Sequence, residues 1–167
     1  VYLHRNKALK EAIADCRSLL QEPTLAPTKC TELVSGWPDF VGIKDASGHG
    51  VGGVIIGKGS QCVPMVFRFE WPQDIKDDLV SQANPTGRIT NSDLECAGLL
   101  MLWLVMEDVC KFESGDHAAL FSDNQPTVSW VQRRAAKSSE VAGQLIRGLS
   151  CRQKMMNVSP LTTLHVP

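Results

Sequence analysis

Apolar positions in the first twenty residues return every three or four places. Leu9, Ala12, Ile13, Cys16, Leu19 and Leu20 form a stripe, and Arg5, Lys10, Asp15 and Arg17 fall mostly on other faces. That period predicts an amphipathic helix over residues 3–20. Pro23 and Pro27 end it and make residues 21–28 a linker. From Pro38 the period becomes two. Residues 40–46 read as a first strand with Val41, Ile43 and Asp45 on one face, residues 47–50 as a turn, and residues 51–57 as a second strand. Residues 62–71 read as a third, in which Val63, Met65, Phe67, Phe69 and Trp71 alternate with Cys62, Arg68 and Glu70. Three strands joined by short connections predict an antiparallel meander. Residues 72–87 are acidic and rich in turn formers, which places them at the surface.

A helix start follows. Thr90, Asn91 and Ser92 are each suitable N-caps, and Asp93 and Glu95 stand in the first turn, where acids complement the helix dipole. The helix runs to about Lys111 and is apolar nearly all round, so it should be buried. Residues 118–122 read as a short strand ending at Asp123. Pro126 suits the first turn of a helix over residues 127–136. Ser138 or Ser139 can cap another helix reaching roughly Asn157, with Val141, Leu145 and Leu149 as its stripe, and residues 161–166 close as a strand. The order βββ-α-β-α-α-β predicts an α/β fold built on a five-stranded mixed sheet with helices packed on it.

The 167 residues suit one domain with an appendage, and 43% hydrophobic against 21% charged residues is a globular composition. A net charge of −1, from 17 basic and 18 acidic side chains, means that any nucleic-acid partner must be met by local patches. The six cysteines, at 16, 30, 62, 96, 110 and 151, include no CxxC pair and no zinc-finger spacing. No secretory signal opens the chain, so the cysteines are expected to be reduced core residues in an intracellular compartment. The longest apolar run, residues 96–106, is too short to cross a bilayer of ~30 Å. The first helix is expected to be the tail of an upstream region.

Three acids carry the candidate chemistry. Asp45 closes the first strand, Glu95 sits on the stripe of Leu99, Leu102 and Met106, and Asp123 ends the fourth strand. Each has a structural explanation: Asp45 as a turn residue, Glu95 as a dipole partner, Asp123 as an N-cap. Together, strand ends and a helix start can meet at one edge of a sheet. Three converging carboxylates repel one another unless a hard divalent cation sits among them, and oxygen-only ligation points to Mg²⁺ or Mn²⁺ and away from zinc. Asp93 competes with Glu95, but two positions along a helix turn the side chains about 200° apart. Asp93 is therefore read as a cap partner.

The segments KDASGHGVGGVIIG, TNSDLECAGLL, SDNQPTVSW and LHVP, in this order, resemble the ribonuclease H domain of retroelement reverse transcriptases, in its retrotransposon branch. The resemblance covers residues 38–167 and implies a ribonuclease H-like fold. It makes residues 1–30 a helical tether from an upstream polymerase or connection region and residues 31–167 the ribonuclease H-like domain. By position, Asp45, Glu95 and Asp123 match the family's carboxylates, which bind two Mg²⁺ ions (Mn²⁺ in their place) and cut RNA paired to DNA. Ser47 and Gly48 would approach the substrate backbone, and Thr90 and Asn91 would lie near the hybrid's minor groove, where the 2′-hydroxyl marks RNA. The implied partners are an RNA–DNA hybrid and the polymerase domain of the same polyprotein, with no membrane, in the cytoplasm, a retroelement particle or the nucleus. The family pattern continues past HVP to a fourth carboxylate and a helix, so the domain is expected to be C-terminally incomplete, with His165 an ordinary strand residue.

Other features are read structurally. Gly48, Gly50, Gly52 and Gly53 precede a strand, which suits a tight hairpin and not a phosphate loop. Six basic residues between Arg133 and Lys154 face one acid, Glu140, and suit either phosphate contact or a solvated helix pair. Trp37, Trp71, Trp103 and Trp130 are expected in the core or at its edges. Two functional classes remain beside each other: a hybrid-cleaving enzyme, and an inert module of the same fold that positions hybrid for a polymerase. A sugar-kinase-like ATP-binding fold would need a second half for which 167 residues leave no room.

Overall fold

The computed structural model describes residues 7–21, 37–58, 64–113, 115–156, 158 and 162–166. The expected linker, Cys30, Cys62 and the start of the third strand lie outside the described residues. The elements are α1 (Lys7–Gln21), β1 (Phe40–Ala46), β2 (Gly50–Gly57), β3 (Met65–Glu70), α2 (Gln73–Asp77), α3 (Asn91–Val109), β4 (Ala118–Ser122), α4 (Gln125–Arg133), α5 (Glu140–Met155) and β5 (Thr162–His165). The sheet order is β3-β2-β1-β4-β5. β1 pairs with β2, and β2 with β3, antiparallel, while β4 runs parallel to both β1 and β5. This is the expected five-stranded mixed sheet. The one added element is α2, a single turn inside the acidic surface segment.

Which face of β1 is covered decides where the site lies. Phe40, Gly42, Lys44 and Ala46 point into the layer beneath α3, and Val41, Ile43 and Asp45 share the opposite, more open face, where Ile43 is 45% exposed. α3 lies close against β1 and β2. A Cβ at Gly98 would stand 2.9 Å from Val51 Cγ2 and 3.3 Å from Ala46 Cβ, so glycine is what lets the helix approach. Leu99, Leu102, Trp103 and Met106 fill the space between α3, Phe40, Leu120 and the Ile146–Leu149 side of α5. A second cluster gathers Ala46, Val51, Trp71, Ile89 and Leu94 beneath the first hairpin.

Several details differ from expectation, each for a packing reason. The buried stripe of α5 is Ala142, Ile146 and Leu149, leaving Val141 36% exposed, because α5 turns that side to α3. β3 is the edge strand, so Val66 is 76% exposed although the alternation is regular. Trp71 and Trp103 are buried as expected, whereas Trp37, just before β1, is 95% exposed. Cys96 and Cys110 are buried, but Cys16 is exposed on α1. Burial and the nearby Asp93 charge push the Cys96 thiol up to about 12, so it is inert as a nucleophile. Arg147 pairs with Glu11 of α1, and Arg152 pairs with Glu107 of α3. Two members of the basic cluster are thus spent on joining helices.

Candidate metal centre

Strand register puts two of the three acids side by side. β1 and β4 are parallel with Ile43 opposite Phe121, the last pair of the ladder. Two residues further along each strand stand Asp45 and Asp123, on the same side by the period of two. β1 continues to Ala46 in its pairing with β2, while β4 ends at Ser122, so Asp123 leaves the sheet beside Asp45.

Glu95 arrives from the helix layer. Thr90 is the N-cap of α3, and its hydroxyl accepts from the backbone of Asp93, whose carboxylate accepts in return from the Thr90 N–H at 2.8 Å. This capping box starts the helix at one register, which sets Glu95 in its second turn. Thr127 Oγ1 donates to the Ser92 carbonyl at 3.2 Å, tying the first turn of α4 to that of α3. Asn124 caps α4 by accepting from Thr127 N at 2.9 Å. The neighbouring Asp123 is therefore free of the capping role that sequence reasoning left open to it. His165 of β5 holds the turn from its other side, with Nε2 2.8 Å from the Asp123 carbonyl oxygen.

One carboxylate oxygen from each of Asp45, Glu95 and Asp123 lies within 4.8 Å of the others. Asp45 and Asp123 are exposed and Glu95 is buried. Octahedral Mg²⁺ holds oxygens at 2.0–2.1 Å, about 4.2 Å apart when opposite and about 3 Å when adjacent, so side-chain shifts of about an ångström bring the three around one ion. Hard, anionic, oxygen-only donors suit that chemistry, and the residues present fit a divalent cation. Burial raises the Glu95 carboxyl above its usual range, Lys44 opposes the rise, and the Asp123 and Asp45 charges add to it.

Lys44 is the residue that the sequence reading missed. It is 3% exposed, and its ammonium donates to Glu95 Oε2 in a buried ion pair. Alternation put Lys44 on the face of β1 that carries Phe40, Gly42 and Ala46, but only the packing of α3 makes that face the buried one.

None of the four expected substrate contacts belongs to the acid cluster, and only Ser47 shares a groove with one of its members, Asp45. Ser47 is exposed in the first hairpin, its carbonyl receiving the Trp71 indole N–H at 2.7 Å and its hydroxyl the His49 N–H at 3.3 Å. A Cβ at Gly50 would meet Phe69 O at 2.3 Å, so the hairpin glycines serve close strand packing. Asp45, Ser47, His49, Gly52 and Arg68 line an open groove of about 520 Å³. Gly48 is half-buried near Leu79. Thr90 is exposed and borders a second groove with Arg88 and Asp78, and Asn91 opens α3 in solvent.

The element order and the strand order β3-β2-β1-β4-β5 define an α/β protein whose five-stranded mixed sheet, flanked by helices, is the arrangement expected of a ribonuclease H-like fold. No family model and no curated protein matches the chain. Among solved structures it is similar to ribonuclease H1 from the halophilic archaeon Halobacterium salinarum NRC-1, at 15% identity and a TM-score of 0.45, over 77% of this chain and 83% of that one. No helix among the described residues is long and apolar enough to cross a membrane.

Proposed function

We propose that this chain is the ribonuclease H part of a retroelement reverse transcriptase and hydrolyses the RNA strand of RNA–DNA hybrids with Mg²⁺. The observation that carries the reading is the convergence of Asp45, Glu95 and Asp123, from two strands and a helix, to within 4.8 Å. Bound there, divalent cations supply Lewis-acid stabilisation of the phosphoryl oxygens and make water a better nucleophile near neutral pH. Asp45 and Asp123, being exposed, face the substrate side, and Glu95 closes the site from beneath. In this reading Ser47, in the groove with Arg68 and His49, and Gly48 next to it would meet the hybrid's backbone, and Thr90 and Asn91 its minor groove. Residues 1–30 act as the tether to an upstream polymerase.

The alternative is an inert module of the same fold that positions hybrid. Lys44 favours it, because its ammonium already neutralises Glu95. A labelled RNA–DNA duplex separates the two. Mg²⁺-dependent cutting of the RNA strand that is lost in Asp45→Asn supports the enzyme, and binding without cutting supports the module.

A further inference from the structure

Lys44 takes no part in the metal chemistry of the three acids, yet it is the most deeply buried cation described. Its side chain is fully covered, Glu95 beside it keeps 4% of its side-chain surface, and the stem runs under α3 close to Gly98. A buried ion pair is costly to desolvate and is a poor source of net stability. What it does here is local. Glu95 is the one buried member of the three, and without a cation it would be an ionised carboxylate on the covered side of α3 with two like charges within reach. Asp45 and Asp123 have water; Glu95 has Lys44.

We propose that Lys44 is a built-in counter-ion, a positioning residue that stands in for a metal at Glu95 when the site holds none, and whose charge an incoming divalent cation must work against. The inference rests on reading the three acids as a metal site. With Lys44 the four side chains sum to a formal charge of −2, instead of −3 for the acids alone. The ammonium engages Oε2 only, leaving the other oxygen of Glu95 for the cation. Lys44 thereby holds the acids in register without metal and lowers their affinity for it. Filling of the site is then favoured when substrate brings a phosphate and its negative charge.

Lys44→Met keeps the apolar stem and removes the charge. Mn²⁺ binding without nucleic acid, followed by the spin-resonance signal of the free ion, is the main measurement, and thermal unfolding in chelator and in saturating Mn²⁺ is the second. The variant is expected to bind Mn²⁺ roughly tenfold or more tightly, since a full positive charge has left the immediate surroundings of the ion. It should melt lower in chelator and gain more from Mn²⁺ than the unsubstituted chain. A residue that merely packs would lower the melting temperature and leave affinity unchanged. Equal or weaker binding by folded Lys44→Met overturns the counter-ion role while leaving the metal site standing. Absence of Mn²⁺ binding in both proteins overturns the site itself and the counter-ion with it. Should Lys44→Met fail to fold, Lys44→Gln, which still donates a hydrogen bond to Glu95, is expected to show the same tighter binding. Equal or weaker binding by Lys44→Gln overturns the role in the same way.

Discussion

Ser139 caps α5 and, with the same hydroxyl, donates to Asp93 in the first turn of α3, so one side chain ties two helix N-termini together. Asp93 also accepts from the N–H and the hydroxyl of Thr90, at 2.8 and 2.7 Å. It is 2% exposed and fully engaged in structure. Glu95, two positions on, is turned to the opposite side and to the acids.

From this linkage, Ser139→Ala is expected to destabilise the fold by about 1 kcal/mol through loss of the cap. Asp93→Ala should cost about 1–3 kcal/mol, because buried donors lose their acceptor. Urea unfolding of the two variants and their double measures the coupling. Costs that simply add would show that the two residues act separately.

Asp45→Asn and Asp123→Asn are expected to reduce hybrid cleavage by about a hundredfold or more, the scale on which removing a group that stabilises transition-state charge acts. In chelator neither should melt lower, since each removes a negative charge that pushes on Glu95. Cleavage assays and thermal melts read the two quantities on the same preparations. A marked fall in melting temperature for both would identify them as structural acids.

The pH dependence follows from Glu95, whose carboxyl is raised chiefly by burial, against Lys44 and with Asp123 and Asp45. A raised folded-state pKa means that the folded chain holds this proton more tightly than the unfolded one. The group's contribution to metal-free stability is therefore greatest below the ordinary Glu value of ~4.3 and declines as pH rises through the raised value. Divalent binding has the opposite sign, because the ion needs the carboxylate. Mn²⁺ affinity should fall on acidification at a pH above the ordinary glutamate range. A fall confined to the range of a free glutamate would contradict the burial of Glu95.

Gly98→Ala places a methyl group 2.9 Å from Val51 Cγ2 and 3.4 Å from Lys44 Cδ. Forcing α3 away from β1 and β2 is expected to cost about 1–3 kcal/mol, despite alanine's better helix propensity. It should also loosen the Lys44–Glu95 contact, so Mn²⁺ affinity is expected to change together with stability. Denaturation and Mn²⁺ titration of this variant test both. Unaltered stability would mean that the helix rides higher on the sheet than the Gly98 contacts indicate.

Local patterns in the sequence carried the elements and the candidate acids. Period two marked β1 and β2, candidate caps at Thr90, Asn91 or Ser92 and at Ser138 or Ser139 marked the starts of α3 and α5, and the 200° separation on α3 told Asp93 from Glu95 before any contact was known. These are properties of consecutive residues, and backbone geometry makes them readable from composition and spacing alone. What needed the tertiary structure was which face of each element meets which neighbour. Alternation put Asp45 with Val41 and Ile43 but could not say that α3 covers the other face, and so missed Lys44. On α5 Leu149 was rightly read as buried but Val141 was taken for Ala142, and Trp37 was taken as packed, for the same reason. Burial belongs to pairs of surfaces brought together from distant parts of the chain. The parallel register of β1 with β4, joining Asp45 and Asp123 across 78 positions of sequence, is what turns scattered acids into a site.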